Sequence, residues 1–206
     1  GYEGWRRNVV AWTTKLKDVV DRYEIWNEPN ITSFNKFLDK CQGDVYTEVC
    51  RIAKEEIDKI DPGSILGGPS ITGITITATW DEAGKPYFDD CMDKGMWKYV
   101  DALVLHPYTS NSAEKADMIT SMKYYQDEFT KVGKTNAEVW NTETGYTTVD
   151  KKIGSEKVKG MYNSRAALLY KINHVSDLTV FYNFEKKGTV EIDREDQFGH
   201  VSPPFK

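Results

Sequence analysis

Two short motifs carry side chains that could do chemistry together. The first is Trp26-Asn27-Glu28-Pro29-Asn30, and the second is Asn141-Thr142-Glu143-Thr144-Gly145-Tyr146. Each holds a glutamate next to polar and aromatic neighbours. Two carboxyl groups facing one acetal carbon can split it between them. One protonates the leaving oxygen, and the other attacks the carbon or activates a water. Such a pair needs different proton affinities, set by desolvation on one side and hydrogen-bond donors on the other. Asn141, Thr142 and Tyr108 are candidate donors beside Glu143. Pro29 restricts the backbone just after Glu28 and helps present it.

The motifs need elements to position them, and the hydrophobic periodicity supplies a pattern. Trp5, Val9, Trp12, Leu16 and Val19 recur at helical spacing, so residues 4–19 are expected to be an amphipathic helix. The run 23–26 reads as a strand, 44–60 as a helix stopped by Asp61-Pro62-Gly63, and 64–68 as a buried strand. Residues 86–99 are expected to be helical, and 101–106 a strand covered on both faces. A helix over about 113–131 follows, with a stripe of Ala116, Ile119, Met122 and Phe129. Asn111 or Ser112 would cap it, and Glu114 would complete a capping box behind Asn111. Residues 137–141 form the next strand. Ser155 caps a helix running to 173 on a stripe of Val158, Met161, Ala166, Leu169 and Ile172, and 178–184 is the last strand. Repeated strand–helix units imply a parallel sheet with helices outside it. A doubly wound sheet and a barrel both satisfy that pattern.

The remaining composition narrows the function by exclusion. The 206 residues suffice for one domain with a core, and 39% hydrophobic with 29% charged content is ordinary for a globular chain. A net charge of −5 disfavours nucleic-acid and anionic-membrane partners. No apolar run approaches the ~20 residues of a membrane span, and no signal peptide is present. Cys41, Cys50 and Cys91 make no paired framework; a Cys41–Cys50 bridge is open, with buried or free thiols the plainer reading. Asp193, Glu195 and Asp196 lack EF-hand spacing and read as a solvated loop rather than a Ca²⁺ site. His106, His174 and His200 are too dispersed for a zinc motif. No phosphate loop and no GxSxG nucleophile elbow occurs. No cofactor and no metal is expected.

Tyr-Glu-Ile-Trp-Asn-Glu-Pro-Asn over 23–30, followed by Asn-Thr-Glu-Thr-Gly-Tyr over 141–146, resembles clan A of the glycoside hydrolases, the retaining (β/α)₈-barrel group that includes cellulase-like and xylosidase-like families. His106-Pro107-Tyr108 resembles the His-x-Tyr that ends the sixth strand of those barrels. Gly67-Gly68-Pro69 resembles the end of the fifth, and 181–199 the eighth strand with its following loop. The resemblance implies a TIM barrel cleaving a β-linked oligo- or polysaccharide by double displacement. Glu28 would be the acid/base, Glu143 the nucleophile, and Asn27 a ligand of the sugar 2-hydroxyl. The clan's usual Trp near the end of strand eight is replaced by Phe181, which can stack but cannot donate. The resemblance also implies an incomplete barrel. Residues 1–206 would be the C-terminal part of one catalytic domain holding strands four to eight, and its partner would be the missing N-terminal barrel segment of the same protein. It suggests an extracellular or periplasmic location.

Each residue also has a plainer reading. Asn27 is a substrate contact or only a turn former. Adjacent strand residues point to opposite faces, so Asn27 and Glu28 share a site only if the strand end re-aims one of them. His106 is a subsite ligand or a satisfied core histidine. Tyr108 contacts the nucleophile or simply packs. Trp80 and Tyr146, in loops, stack on sugars or lid the core. Glu24 lies about 13 Å from Glu28 along an extended strand, so it is expected to be paired and structural, as is Glu138. Trp140 has the wrong parity to point with Glu143 and is expected to pack against helices. The rival functions are a non-catalytic carbohydrate-binding relative and a transglycosylase.

Overall fold

The computed structural model describes residues 1–36, 42–79, 83–115, 117–183 and 197–199. Among them, five strands form one sheet: β1 (Arg22–Glu24), β2 (Ile65–Thr72), β3 (Ala102–His106), β4 (Val139–Thr144) and β5 (Leu178–Phe181). Helix α1 (Tyr2–Leu16) precedes β1, and α2 (Gly43–Ile60), α3 (Gly84–Asp93), α4 (Met118–Lys131) and α5 (Glu156–Ile172) separate the strands. All four strand pairings are parallel, and spatial order equals chain order, β1-β2-β3-β4-β5. A doubly wound sheet reverses its order at a switch point, and this sheet does not. Sequential order is that of a (β/α) barrel, here an incomplete one with five of eight strands.

The two faces of the sheet are packed differently. Leu103, Leu105 and Val139 join the helices in the main core, with Tyr46, Phe88, Met122, Tyr125 and Phe129. The Phe88 and Tyr125 rings meet edge-to-face at 4.8 Å and hold α3 against α4. The opposite face is the barrel interior, where Ala102, Val104 and Trp140 form a second cluster. Trp140 therefore points inward, contrary to the expectation that it packs on helices. Gly67 on β2 makes the room for Trp140, and its neighbour Gly68, on the other face, makes room for Tyr46. A Cβ on Gly67 would sit 2.5 Å from the Trp140 ring, and one on Gly68 would sit 2.8 Å from the Tyr46 hydroxyl. Parity alone could not say which face is the interior.

Several element boundaries differ from expectation for local reasons. β1 stops at Glu24 rather than continuing to Trp26, because Trp26 turns into the left-handed region at φ 68°. The helix expected over 86–99 ends at Asp93; Gly95 takes φ 83°, and a single 3₁₀ turn, Met96–Lys98, follows. α4 begins at Met118 behind a left-handed Asp117. The expected capping box does not form there, since Glu114 pairs with Arg165 on α5, Oε1 to Nε at 2.9 Å. β2 and β4 run further than expected, to Thr72 and Thr144. Ser155 does cap α5, its hydroxyl accepting from the Val158 amide at 3.3 Å.

The helix stripes are only partly as expected. On α1, Val9 is buried, and the Trp5 indole donates to the Val49 carbonyl on α2 at 3.0 Å, but Trp12 is 58% exposed. On α5 the buried face is Lys159, Asn163, Ala166 and Tyr170, whereas Met161 and Ile172 are exposed. Cys50 and Cys91 are buried, and Cys50 makes no disulfide bridge; burial pushes the Cys50 thiol up to about 12. Among the described residues, no helix is long and apolar enough to cross a membrane. Trp80, Cys41 and the acidic loop at Asp193, Glu195 and Asp196 lie outside the described residues.

Candidate active site

The C-terminal ends of β1, β3 and β4 converge, and each end is re-aimed by a local departure from regular strand. After β1 the chain turns through Trp26 (φ 68°) and Glu28 (φ 44°), which are rare conformations for non-glycine residues. Each costs about 1–2 kcal/mol, so the surroundings must hold them. β2 supplies part of that hold. It bulges between Pro69 and Ile71, where Ser70 is left-handed and fully buried, and the Ser70 carbonyl accepts from the Glu28 amide at 3.0 Å. Asn30 adds a second tie, its side-chain amide donating to the Thr72 carbonyl and accepting from the Thr72 amide, both at 3.1 Å. Glu28 ends up nearly buried, while Asn27 is half-buried. The turn thus delivers Glu28 to the interior face in a way that strand alternation would not.

β3 and β4 do the equivalent for the other residues. Beyond β3, the Tyr108 amide donates to the His106 carbonyl at 2.9 Å, a three-residue turn that lets both side chains reach the same space. The Thr144 hydroxyl fastens this turn by donating to the Pro107 carbonyl at 3.1 Å. The β4 register slips between Asn141 and Thr144, which frees Glu143 from strict alternation with the inward-facing Trp140 and Thr142. Glu143 is the more open of the two glutamates, with 28% of its side chain exposed against 9% for Glu28.

The geometry brings Glu28, His106 and Glu143 together. One ligand-type atom of each lies within 4.8 Å of the others. His106 Nδ1 is 3.1 Å from Glu28 Oε1 and 3.9 Å from Glu143 Oε2. Its Nε2 meets the Thr142 hydroxyl at 3.0 Å and Glu24 Oε1 at 3.5 Å. Tyr108 donates to Glu143 Oε1 at 2.7 Å. Glu24 is thus paired, as expected, but it reaches the cluster through His106. The chain leaves the extended conformation after Glu24, so the distance along an ideal strand does not apply. Glu138 is the structural carboxylate, bound by Arg22 from across the sheet and by the Trp140 indole at 2.6 Å. Of the donors expected for Glu143, only Tyr108 serves. Thr142 turns to His106, and Asn141 is fully buried with its side-chain amide unpaired among the described residues.

Charge on His106 decides what the cluster can do. Burial pulls its pKa down, but hydrogen bonds to Glu24 and Glu28 and the charges of Glu24 and Glu143 outweigh burial, and the pKa is pushed up to about 9. The ring is therefore an imidazolium at neutral pH, with both nitrogens directed at oxygen acceptors. It is suited to holding the glutamates in place. A stability prediction follows. The folded pKa lies above the ordinary 6.5, so this contribution is fully present below pH 6.5 and is lost as pH rises to 9. It amounts to about 3 kcal/mol. Urea unfolding of the parent and of His106→Gln at pH 6 and pH 9.5 should show the gap between them shrinking at the higher pH. A gap independent of pH would refute the charged ring.

The other expected contacts are distributed around this centre. Phe181 ends β5 in register with Thr144 and is half-buried. Tyr146 is 3% exposed and stacks edge-on with Tyr162, so it lids the core and is not open to a sugar. Two residues with structural roles here went unnoticed in the sequence: Ser70 and Asn30. Ser70 carries no signal, since only glycine would advertise a left-handed position.

Comparisons with known proteins agree with the fold. A family model described as glycosyl hydrolase catalytic core matches residues 5–197. A curated β-xylosidase from Geobacillus stearothermophilus is 28% identical over 136 residues, covering 61% of this chain and 24% of the relative. Among solved structures, a family 39 glycoside hydrolase from Bacteroides cellulosilyticus WH2 superposes with a TM-score of 0.73 at 20% identity, covering 98% of this chain and 42% of that one. A GH39 β-xylosidase from Caulobacter crescentus gives 0.67 at 18% identity, covering 97% and 43%. This chain therefore spans less than half the length of each of these proteins.

Proposed function

Because the chain belongs to the glycosyl hydrolase catalytic-core family of clan A, we propose that, in a completed barrel, it cleaves a β-linked glycan with retention of anomeric configuration. The observation that carries this reading is the separation of the two glutamates. Their nearest oxygens lie within 4.8 Å, in line with the ~5–5.5 Å of retaining enzymes and short of the ~6.5–9.5 Å that an inverting enzyme needs for an intervening water.

The steps then follow from the contacts. Glu28 gives its proton to the glycosidic oxygen as the bond to the anomeric carbon breaks. Glu143 Oε2 attacks that carbon from the opposite face and forms an ester, while Tyr108 keeps hold of Oε1. Water then enters on the Glu28 side, gives Glu28 a proton and displaces Glu143. The imidazolium of His106 faces both glutamates and stabilises whichever of them carries the negative charge at each step. Asn27 makes no side-chain hydrogen bond among the described residues, which leaves its amide available for a sugar hydroxyl.

Barrel strands one to three come from another segment of the same polypeptide in this reading. β1 and β5 are the outer strands of the sheet. Val19 and Trp12 near one side, and Leu168, Ile172, Leu178 and Val180 near the other, are exposed apolar groups that a closing segment would cover.

An aryl 2-deoxy-2-fluoroglycoside tests the assignment, with the β-xyloside the first choice given the named curated relative. The complete protein should be inactivated in step with release of the aryl group, and the labelled peptide should carry the sugar on Glu143. A sugar on any other residue would end this reading.

A further inference from the structure

Lys159 is a buried cation that the chemistry above does not use. Lysines on a helix normally keep the ammonium in water, yet this one, on α5, has a side chain only 3% exposed. An ammonium has three hydrogens to donate, and here three acceptors surround it: Glu156 Oε2 at 2.6 Å, the Gly199 carbonyl at 2.5 Å and the Gln197 carbonyl at 3.3 Å. Two of the three bracket a single residue, Phe198, which is 2% exposed.

Phe198 in turn stands against the residue that binds Glu143. Its ring meets Tyr108 at 5.6 Å and 73°, and Tyr182 at 5.6 Å and 65°. The end of β4 closes on the same group. The Tyr182 amide donates to the Thr144 carbonyl at 2.7 Å. A Cβ on Gly145 would lie 2.4 Å from the Tyr182 carbonyl and 3.3 Å from the Phe198 ring, so only glycine fits there. The Tyr108 hydroxyl donates to Glu143 at 2.7 Å.

We infer that Lys159 is a positioning residue. By gripping the backbone on both sides of Phe198 it seats that ring against Tyr108 and so fixes the hydroxyl that orients Glu143. The inference rests on Glu143 being the nucleophile.

A double-mutant cycle in the complete protein tests it, using Lys159→Met, Tyr108→Phe and the pair. Lys159→Met should lower kcat roughly tenfold by misplacing the nucleophile, with KM little changed, and Lys159→Arg should recover most of the loss. In the Tyr108→Phe background the same lysine change should cost less than about twofold, because the group it acts through is gone. Equal losses in both backgrounds would mean that Lys159 only stabilises the fold, and would overturn the inference. If Lys159→Met does not fold, Phe198→Leu takes its place in the cycle. A second readout needs no turnover. In protein labelled with 3-fluorotyrosine, the ¹⁹F line lost in Tyr108→Phe should shift in Lys159→Met and stay in place in Lys171→Met, a change on the exposed face of α5. An unmoved line overturns the inference even if glycosidase activity is present; a parent protein without that activity overturns only the proposed function.

Discussion

Glu143→Ala should reduce turnover of an aryl glycoside by at least about 10⁴-fold, and added azide should restore it with inverted product. The alanine leaves a gap on the face from which the carboxylate attacks. Glu143 is partly open to solvent, with 28% of its side chain exposed, so a small anion can enter the space. Azide then attacks the anomeric carbon in place of the ester-forming oxygen. One displacement occurs instead of two, and the glycosyl azide has the opposite configuration to the substrate. Chromatography and proton NMR of the product distinguish the anomers. Loss of activity without rescue, or a rescued product of retained configuration, would remove Glu143 from the nucleophile's role.

Glu28→Gln should separate substrates by their leaving groups. Glutamine keeps the shape of the side chain and can still accept from His106 Nδ1, which is 3.1 Å from Glu28 Oε1. It has no proton to give. Substrates with poor leaving groups should lose about 10²–10⁴ in kcat/KM. Those with a dinitrophenolate leaving group, which departs without protonation, should keep most of theirs. The second step also lacks its base, so the glycosyl-enzyme should accumulate as a burst of released phenolate. Azide should relieve that block too, but here through a second displacement, giving retained product. Opposite anomers from the two azide experiments would assign the two glutamates without reference to any relative. Equal losses for good and poor leaving groups would exclude Glu28 as the acid.

The two motifs were readable because their chemistry is local. Glu28 and Glu143 each sit next to residues that mark a strand end, and the alternation of strand and helix between them needs only periodicity to see. Ser155 could be named as a helix cap for the same reason, since a cap involves four consecutive residues. Tyr108 as a partner of Glu143 was suggested by its place in His-Pro-Tyr, and the 2.7 Å hydrogen bond agrees with it. The misreadings share a cause. Trp140, Tyr146 and the buried face of α5 all depend on which surface a side chain meets, and those surfaces come from elements far away in the chain. Lys159 shows this most clearly: its acceptors at Gln197 and Gly199 lie about forty residues further on.

By itself the sequence determined the order of elements and the parallel character of the sheet and singled out the two glutamates as candidates, because each of these depends on spacing within a few residues. Tertiary structure alone decided that the strands run in sequential order around a barrel, that left-handed turns at Trp26 and Glu28 aim the first glutamate inward, and that His106 becomes a shared cation among three carboxylates. The physical reason is that burial, register slips and the field of neighbouring charges are properties of assembled surfaces, and no short stretch of chain contains them.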